Sequence, residues 1–211
     1  TIVFIWINMS MRITTNTNLI AEPIFPTYTF SGNIELPASI LDSLLDEINS
    51  MNLNMYNWGK SGWNFDFNET WYLTPMISRF APLITRQFFD AFTTHYGYDT
   101  RADLYYHNDK RFQFEVRRIF PIIITPGHDF PIQSRLSFYS GITMLKCSER
   151  SHRPYIQDLD NRYRMNDPIK CWIPQPTQQI FIPDSQPWGI SSGNDNTPTV
   201  ALITHILRKA V

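Results

Sequence analysis

The spacing of apolar residues changes once along the chain, from a helical period to a strand period. Between residues 37 and 51, Ile40, Leu41, Leu44, Leu45, Ile48 and Met51 recur at helical spacing, while Asp42, Asp46 and Glu47 fall on the other face. This pattern predicts an amphipathic helix covering a sheet, with Pro37 suited to its first turn. Residues 75–96 read as a second helical region with Leu83, Ile84, Phe88, Phe92 and Tyr96 as its stripe. Thr74-Pro75 resembles a cap followed by a first-turn proline, and Gly97 a stop. Pro82 has no amide hydrogen for an interior helical bond, which predicts a short turn before it and a longer helix after it.

From about residue 103 the period is two. Phe112, Phe114 and Val116 alternate with Gln113, Glu115 and Arg117, as in a half-buried strand. Further strands are expected at Ile119–Thr125, Leu136–Cys147, Ile169–Ile173, Gln178–Ile182 and Val200–Leu207. Arg150–Asn166 reads as a polar, charged excursion and Ser191–Pro198 as a turn cluster. Residues 1–35 are expected to form an extended arm with one strand at Thr27–Phe30, and residues 36–211 a single domain. Residues 52–72 read as a loop anchored by Trp58, Trp63 and Trp71, or as a lid or partner-binding loop. Helices followed by short strands with Pro/Gly turns predict an α+β fold built on an antiparallel sandwich or jelly roll.

Composition narrows the function classes. With 43 % hydrophobic and 15 % aromatic residues in a chain of 211, a sizeable core is expected rather than disorder. A net charge of −1 without charge runs gives no electrostatic footprint for nucleic acid. No apolar run reaches the roughly 18 residues of a membrane span. Thr1–Asn8 is apolar but lacks the basic flank and cleavage site of a signal peptide, so it reads as an extension ahead of the real start or as an edge strand. A cytoplasmic, non-secreted protein is the corresponding expectation. Cys147 and Cys171 form neither a CxxC pair nor a zinc pattern. Two buried thiols in a reducing compartment are expected, with a disulfide if their strands are neighbours.

Candidate chemistry is sparse. A mononuclear iron site uses two histidines and one carboxylate on one face. Among His95, His107, His128, His152 and His205, only His107-Asn108-Asp109 has the His-x-Asp form, with His152 as a distant third ligand and Arg162 ten residues beyond. His107 lies in a polar link and His152 in a hydrophilic stretch, so the competing reading is three surface residues. His128 and Asp129 are adjacent, would point to opposite faces of a strand, and read as a turn-capping pair. There is no nucleophile elbow and no phosphate-binding glycine loop.

Three segments carry a resemblance. They are Pro126-Gly127-His128-Asp129-Phe130-Pro131, then Tyr139-Ser140-Gly141-Ile142-Thr143-Met144-Leu145-Lys146, and Phe181 to Ile190. Together, residues 112–207 resemble the double-stranded β-helix of the 2-oxoglutarate/iron(II) oxygenases, nearest to the phage hydroxylase-like and aspartyl/asparaginyl hydroxylase-like groups. The resemblance implies an α+β fold: N-terminal helices packed on a jelly-roll, cupin-like β-helix.

The same resemblance places the family's first two ligands on Gln133 and Arg135, its distal histidine on Trp188, and its cosubstrate arginine near Thr197–Thr199, where there is none. Gln133 is a poor iron ligand, Arg135 is a permanent cation, and Trp188 offers only an indole N–H. What is implied is a non-catalytic, oxygenase-like jelly-roll protein with a binding or structural role, no catalytic residue and no cofactor, in a phage-like setting. The old pocket, around Gln133, Arg135, Tyr139 and Lys146, is expected to be plugged or to hold a small polar ligand. Arg135 is expected to pair with an internal carboxylate or with an anionic ligand, and Trp188 to fill the vacated space. An unidentified protein or small polar ligand is the expected partner, with oligomerisation open. Two alternatives stand beside this reading. One is a divergent hydroxylase using iron(II), 2-oxoglutarate, His107, Asp109 and His152. The other is a virion-type architectural jelly roll with an exposed apolar patch.

Overall fold

The computed structural model of the protein describes residues 13–14, 20–24, 27–50, 75–96, 104–107, 110–133, 137–157 and 168–210. Loop 52–72 and residues 1–8 lie outside these. Both helices form where the apolar stripes fall. In α1 (Ala38–Ser50) Leu44 and Ile48 are buried, Leu41 and Leu45 pack partly against the same core, and Ile40 faces out. The carbonyl of Pro37 accepts the amides of Ile40 and Leu41, closing the first turn.

Helix α2 (Pro75–Tyr96) is one continuous helix, not the turn plus helix that Pro82 predicts. Ile77, Ile84, Phe88, Ala91 and Phe92 are all buried, so the apolar stripe stays in register across the proline. Pro82 sits on the exposed face beside Leu83, which is also exposed rather than part of the stripe. Packing of the buried face outweighs the one backbone bond that the proline removes.

The strands fall into two antiparallel sheets. The larger contains β1 (Ile13–Thr14), β2 (Ile20–Ile24), β3 (Thr27–Asn33), β4 (Leu104–His107), β5 (Lys110–Ile124), β7 (Tyr139–Lys146), β10 (Gln178–Pro183) and β12 (Thr199–Ala210), in the order β1-β2-β3-β10-β7-β12-β5-β4. The smaller contains β6 (Phe130–Gln133), β8 (Arg153–Gln157), β9 (Pro168–Cys171) and β11 (Trp188–Ser191), in the order β6-β11-β8-β9. From β5 onward the chain passes back and forth between the sheets, with the β8–β9 hairpin kept within the small one, and this wrap makes a double-stranded β-helix of the jelly-roll type. The fold is α+β, with the helices on the outer face of the large sheet.

Two cores follow from the pleat. On the helix side, Ile119, Tyr139, Leu145, Phe181, Val200, Leu202 and Ile206 meet Leu44, Ile48, Ile84, Phe88 and Phe92. Between the sheets, Phe120, Ile122, Ile142, Met144, Ile180, Ile182, Ala201 and Ile203 meet Phe130, Ile156, Trp188 and Ile190. A register shift opposite His205/Ile206 skips Arg117, which lets Val116 and Ile119, three residues apart, both face the helices.

The strand expected at Thr27–Phe30 is present and runs on to Asn33. As β3 it pairs with β10 through Phe30↔Phe181, and Phe30 is fully buried against Phe88 at 6.0 Å and Tyr139 at 5.9 Å. Strand β8 lies inside the expected polar excursion. Its Pro154 and Ile156 are buried while Arg153 is exposed. Both cysteines are free, and Cys171 is exposed rather than buried. No described helix is long and apolar enough to cross a membrane.

Gly141 is the tight point between β7 and its neighbours. A Cβ there would lie 2.6 Å from Phe181 Cε1 and 3.2 Å from Thr204 Cβ. Phe181 cannot swing away, because its ring is fully buried and 5.0 Å from that of Phe88. Gly141→Ala is therefore expected to destabilise the fold by about 1–3 kcal/mol, read as a lower midpoint in urea with an unchanged slope.

Candidate functional site

The segment entering the small sheet is set by a tight turn. The amide of His128 donates to the carbonyl of Thr125 at 3.2 Å, and Gly127 has φ 77° after Pro126. Proline second and a left-handed glycine third define a type II turn. His128 Nδ1 stays local, 3.0 Å from Thr125 Oγ1 and 3.2 Å from the Pro126 carbonyl. Asp129 instead reaches across the chain, and its carboxylate accepts the amide of Ser192. Only half of the expected turn-capping pair therefore serves the turn.

Beyond this clasp β6 runs alongside β11, pairing Phe130 with Ile190 and Gln133 with Trp188. Two of the three aligned ligand positions are thus direct cross-strand neighbours. Arg135 and the side chain of Gln133 lie outside the described residues. The Trp188 indole is fully buried between the sheets and stacks on Phe130, with centroids 5.7 Å apart and planes 11° off parallel. Among the described residues its Nε1–H has no hydrogen-bond partner. An orphaned buried donor costs about 1–3 kcal/mol, so the ring is held by packing.

The segment near Thr197–Thr199, aligned with the family's cosubstrate arginine, leads into β12. Thr199 is buried, and its Oγ1 lies 2.7 Å from Nδ1 of His152, which is also fully buried. The other ring nitrogen of His152 lies 3.1 Å from the Thr125 carbonyl. A neutral ring satisfies both contacts if Nε2–H donates to Thr125 and Nδ1 accepts from Thr199. Burial lowers the His152 pKa, outweighing the opposing pull of the Thr125 and His128 backbone and the charges of Asp129 and Asp195.

That geometry bears on the alternative metal set. His152 is not in a solvent-exposed stretch, and both of its nitrogens are engaged. His107 pairs with Lys110 at one end of the 15-residue strand β5, whereas His152 contacts Thr125 just past the other end. The strand separates them by on the order of 40 Å, so the structure does not bring His107 and His152 to one ion. Asp109 lies outside the described residues. Among the described residues, no group of three His, Cys, Asp or Glu is placed to hold a metal.

The expected pocket residues also part company. Tyr139 points to the helix side, packs on Phe88 at 5.0 Å, and donates its hydroxyl to the Tyr28 carbonyl at 3.0 Å. Lys146 ends the same strand, seven residues on and about 23 Å away, and is exposed. The alternation of β7 puts Tyr139 on the face opposite Ser140, Ile142 and Met144, so the tyrosine does not line the β-helix interior.

A polar tie at the end of the interior near Gln133 was not legible from motifs. Asp184, buried to 3 % exposure after β10, accepts the Ser140 hydroxyl at 2.8 Å and the Ser137 amide, and its own amide donates to the Phe138 carbonyl at 3.1 Å. Ser140 pairs across β12 with His205, which is buried against the edge of Phe120 at 5.6 Å. Serine donates directly to aspartate, without an imidazole between them, so the contact fastens the β6–β7 link to the β10–β11 turn rather than activating a nucleophile.

No family model and no curated protein matches the sequence. Solved structures do match. HygX from Streptomyces hygroscopicus, with nickel and 2-oxoglutarate bound, is similar over 84 % of this chain and 81 % of that one, at 8 % identity and a TM-score of 0.52. The chain has an oxygenase-like fold. A prolyl-4-hydroxylase from Pseudomonas putida is similar over 86 % of this chain and 88 % of its own, at 11 % identity and a TM-score of 0.49. An oxidoreductase of the 2OG-Fe(II) oxygenase family from Burkholderia pseudomallei is similar over 63 % of this chain, at 12 % identity and a TM-score of 0.46. This chain spans 58 % of the Burkholderia protein's length. At these identities the likeness is one of fold.

Two outcomes follow for the oxygenase-like interior. Trp188→Ala should cost about 3–5 kcal/mol through the cavity it leaves, whereas Trp188→Phe, which removes the orphaned N–H, should cost less than about 1.5 kcal/mol; equilibrium denaturation of both variants measures this. For His152 the folded-state pKa lies below the ordinary 6.5. The unfolded chain then binds the proton more readily, so stability should fall as pH drops through about 6.5 toward the folded-state value. Burial acts on His95 in the same direction. His152→Gln should therefore reduce the acid slope in thermal melts between pH 7 and pH 5 without abolishing it.

Proposed function

We propose that this protein is a non-catalytic, oxygenase-like jelly-roll protein with a binding role, in which the interior that holds iron and cosubstrate in the resembled family is closed by packing. The observation that carries the reading is Trp188: fully buried, stacked on Phe130, and paired with Gln133 at the aligned metal position. The donor set does not fit iron. An amide, a guanidinium and an indole stand at the positions where two imidazoles and a carboxylate are needed, and neither the guanidinium nor the indole N–H can donate a lone pair. No arginine stands near Thr197–Thr199, where the resemblance places the cosubstrate's arginine, and the Thr199 hydroxyl lies against His152.

The architectural reading calls for a continuous apolar face. Among the described residues the exposed large hydrophobics are Ile40 in α1, Leu83 in α2 and Ile173 after β9, at 38 %, 45 % and 58 % exposure, on three separate elements. The tryptophan-rich loop 58–71, where the architectural reading would place its patch, lies outside the described residues.

The test loads the purified full chain anaerobically with iron(II) and 2-oxoglutarate, removes excess by desalting, and then admits oxygen. The expected result is iron retained well below one equivalent and no succinate formed above a metal-free control. Stoichiometric iron together with 2-oxoglutarate turnover would overturn the reading.

A further inference from the structure

Outside the β-helix interior, the chain has a cleft of about 480 Å³ on the far face of the small sheet. Gly189, Tyr155 and Cys171 form one cross-strand row, and Ser191 and Arg153 begin the next. The cleft opens where the link after β7 meets the link after β11, and Arg150, Arg153, Cys171, Ser192 and Asn194 line it.

The backbone under it is fixed. The amide of Asn194 donates to the Arg150 carbonyl at 2.9 Å, and the Ser191 hydroxyl to the Arg153 carbonyl at 3.3 Å. Gly193 lies flat on the Arg150–Ser151 peptide, where a Cβ would come within 2.3 Å of the Ser151 carbonyl carbon. Only glycine permits this approach, so the two links are clasped together.

Among the described residues the two arginines have no carboxylate partner. Both are exposed, and neither forms an ion pair with a described residue. Glu149 adjoins Arg150 in the chain but does not line the cleft, and two further carboxylates nearby are committed elsewhere. Asp195 accepts the hydroxyls of Ser148 at 2.5 Å and Ser151 at 3.4 Å and the amide of Thr197 at 3.1 Å, and Asp129 accepts the amide of Ser192. Neither carboxylate lines the cleft. The Cys171 thiol is pushed up by burial and drawn back by Arg153, which places that guanidinium within electrostatic reach of the sulfur.

We propose that this cleft binds a small organic phosphate monoester, its phosphate held between the guanidinium groups of Arg150 and Arg153 and its organic part lying toward Cys171. Two planar donor forks match a phosphate dianion in charge and geometry. The volume exceeds what bare phosphate fills and falls within the ~300–1,000 Å³ of small-molecule sites. The site is separate from the plugged interior, so it stands whether or not that interior holds iron.

The test titrates the full chain by calorimetry with AMP, inorganic phosphate, adenosine and succinate. AMP should bind saturably, inorganic phosphate more weakly, and adenosine and succinate not measurably. Arg150→Gln and Arg153→Gln should each weaken AMP at least about tenfold, and the double variant should lose it, while Lys146→Gln, outside the cleft, should leave it unchanged. Location is read by iodoacetamide. AMP should slow alkylation of Cys171 several-fold, and Cys147, part-buried with its thiol pushed up to about 12, should stay unlabelled throughout. Three results would overturn the proposal: no saturable binding of AMP at millimolar concentration, undiminished binding by the double variant, or binding that leaves Cys171 labelling unchanged. Equal binding of succinate or adenosine would overturn the assignment to phosphate.

Discussion

The central strands of the large sheet are covered on both faces, by helices on one side and by the small sheet on the other. That double covering is the constraint from which the rest of the structure follows. Every side chain of β7 from Tyr139 to Leu145 is buried, so each must be apolar, small, or hydrogen-bonded. Ile142 and Met144 meet the small sheet, while Tyr139 and Leu145 meet the helices. Gly141 leaves room for the Phe181 ring, and Ser140 finds the Asp184 carboxylate. The helices are held by the same demand. Ile77, Ile84, Phe88 and Phe92 keep one stripe on the sheet even though Pro82 interrupts the bonding of their helix.

The elements most legible in the sequence were those with one clear period. Helix α1 and strands β10 and β12 lie within a residue or so of expectation at their starts, because several strongly apolar side chains repeat in each. Strand β8 was hidden because its buried face consists of Pro154 and Ile156, one of them a residue that ordinarily marks a break. Strands β6 and β11 are only four residues long, too short for a period to show, so the sequence marks them by motif alone. The single strand expected at Thr27–Phe30 proved to be part of a longer pairing, since local sequence does not say which distant strand will accept its backbone.

The candidate site divided along the same line. That Gln133 and Trp188 share a neighbourhood could be inferred from the resemblance, and their cross-strand pairing agrees with it. The motif that contains Tyr139 puts it with the pocket residues, whereas the pleat turns it toward Phe88 and Phe92. His152 sits in a hydrophilic stretch of sequence. Its partners, Thr125 and Thr199, lie 27 and 47 positions away, so no local pattern announces them. The arginine-lined cleft was equally invisible, because it assembles from two links whose contact depends on Gly193 lying against Ser151.

The hairpin of β2 and β3 has a consequence for solubility. It pairs along β10 from Asn33 through Phe30, capping a strand whose residues Gln179 to Pro183 are all buried. Without it, β10 would present an open row of amides and carbonyls flanked by Ile180, Phe181 and Ile182. Such an apolar edge would be a template for pairing with another chain. The short β1, two residues long at the limit of the sheet, offers far less to copy. The early part of the chain therefore acts as an internal guard against aggregation: it turns a vulnerable margin of the β-helix into sheet interior.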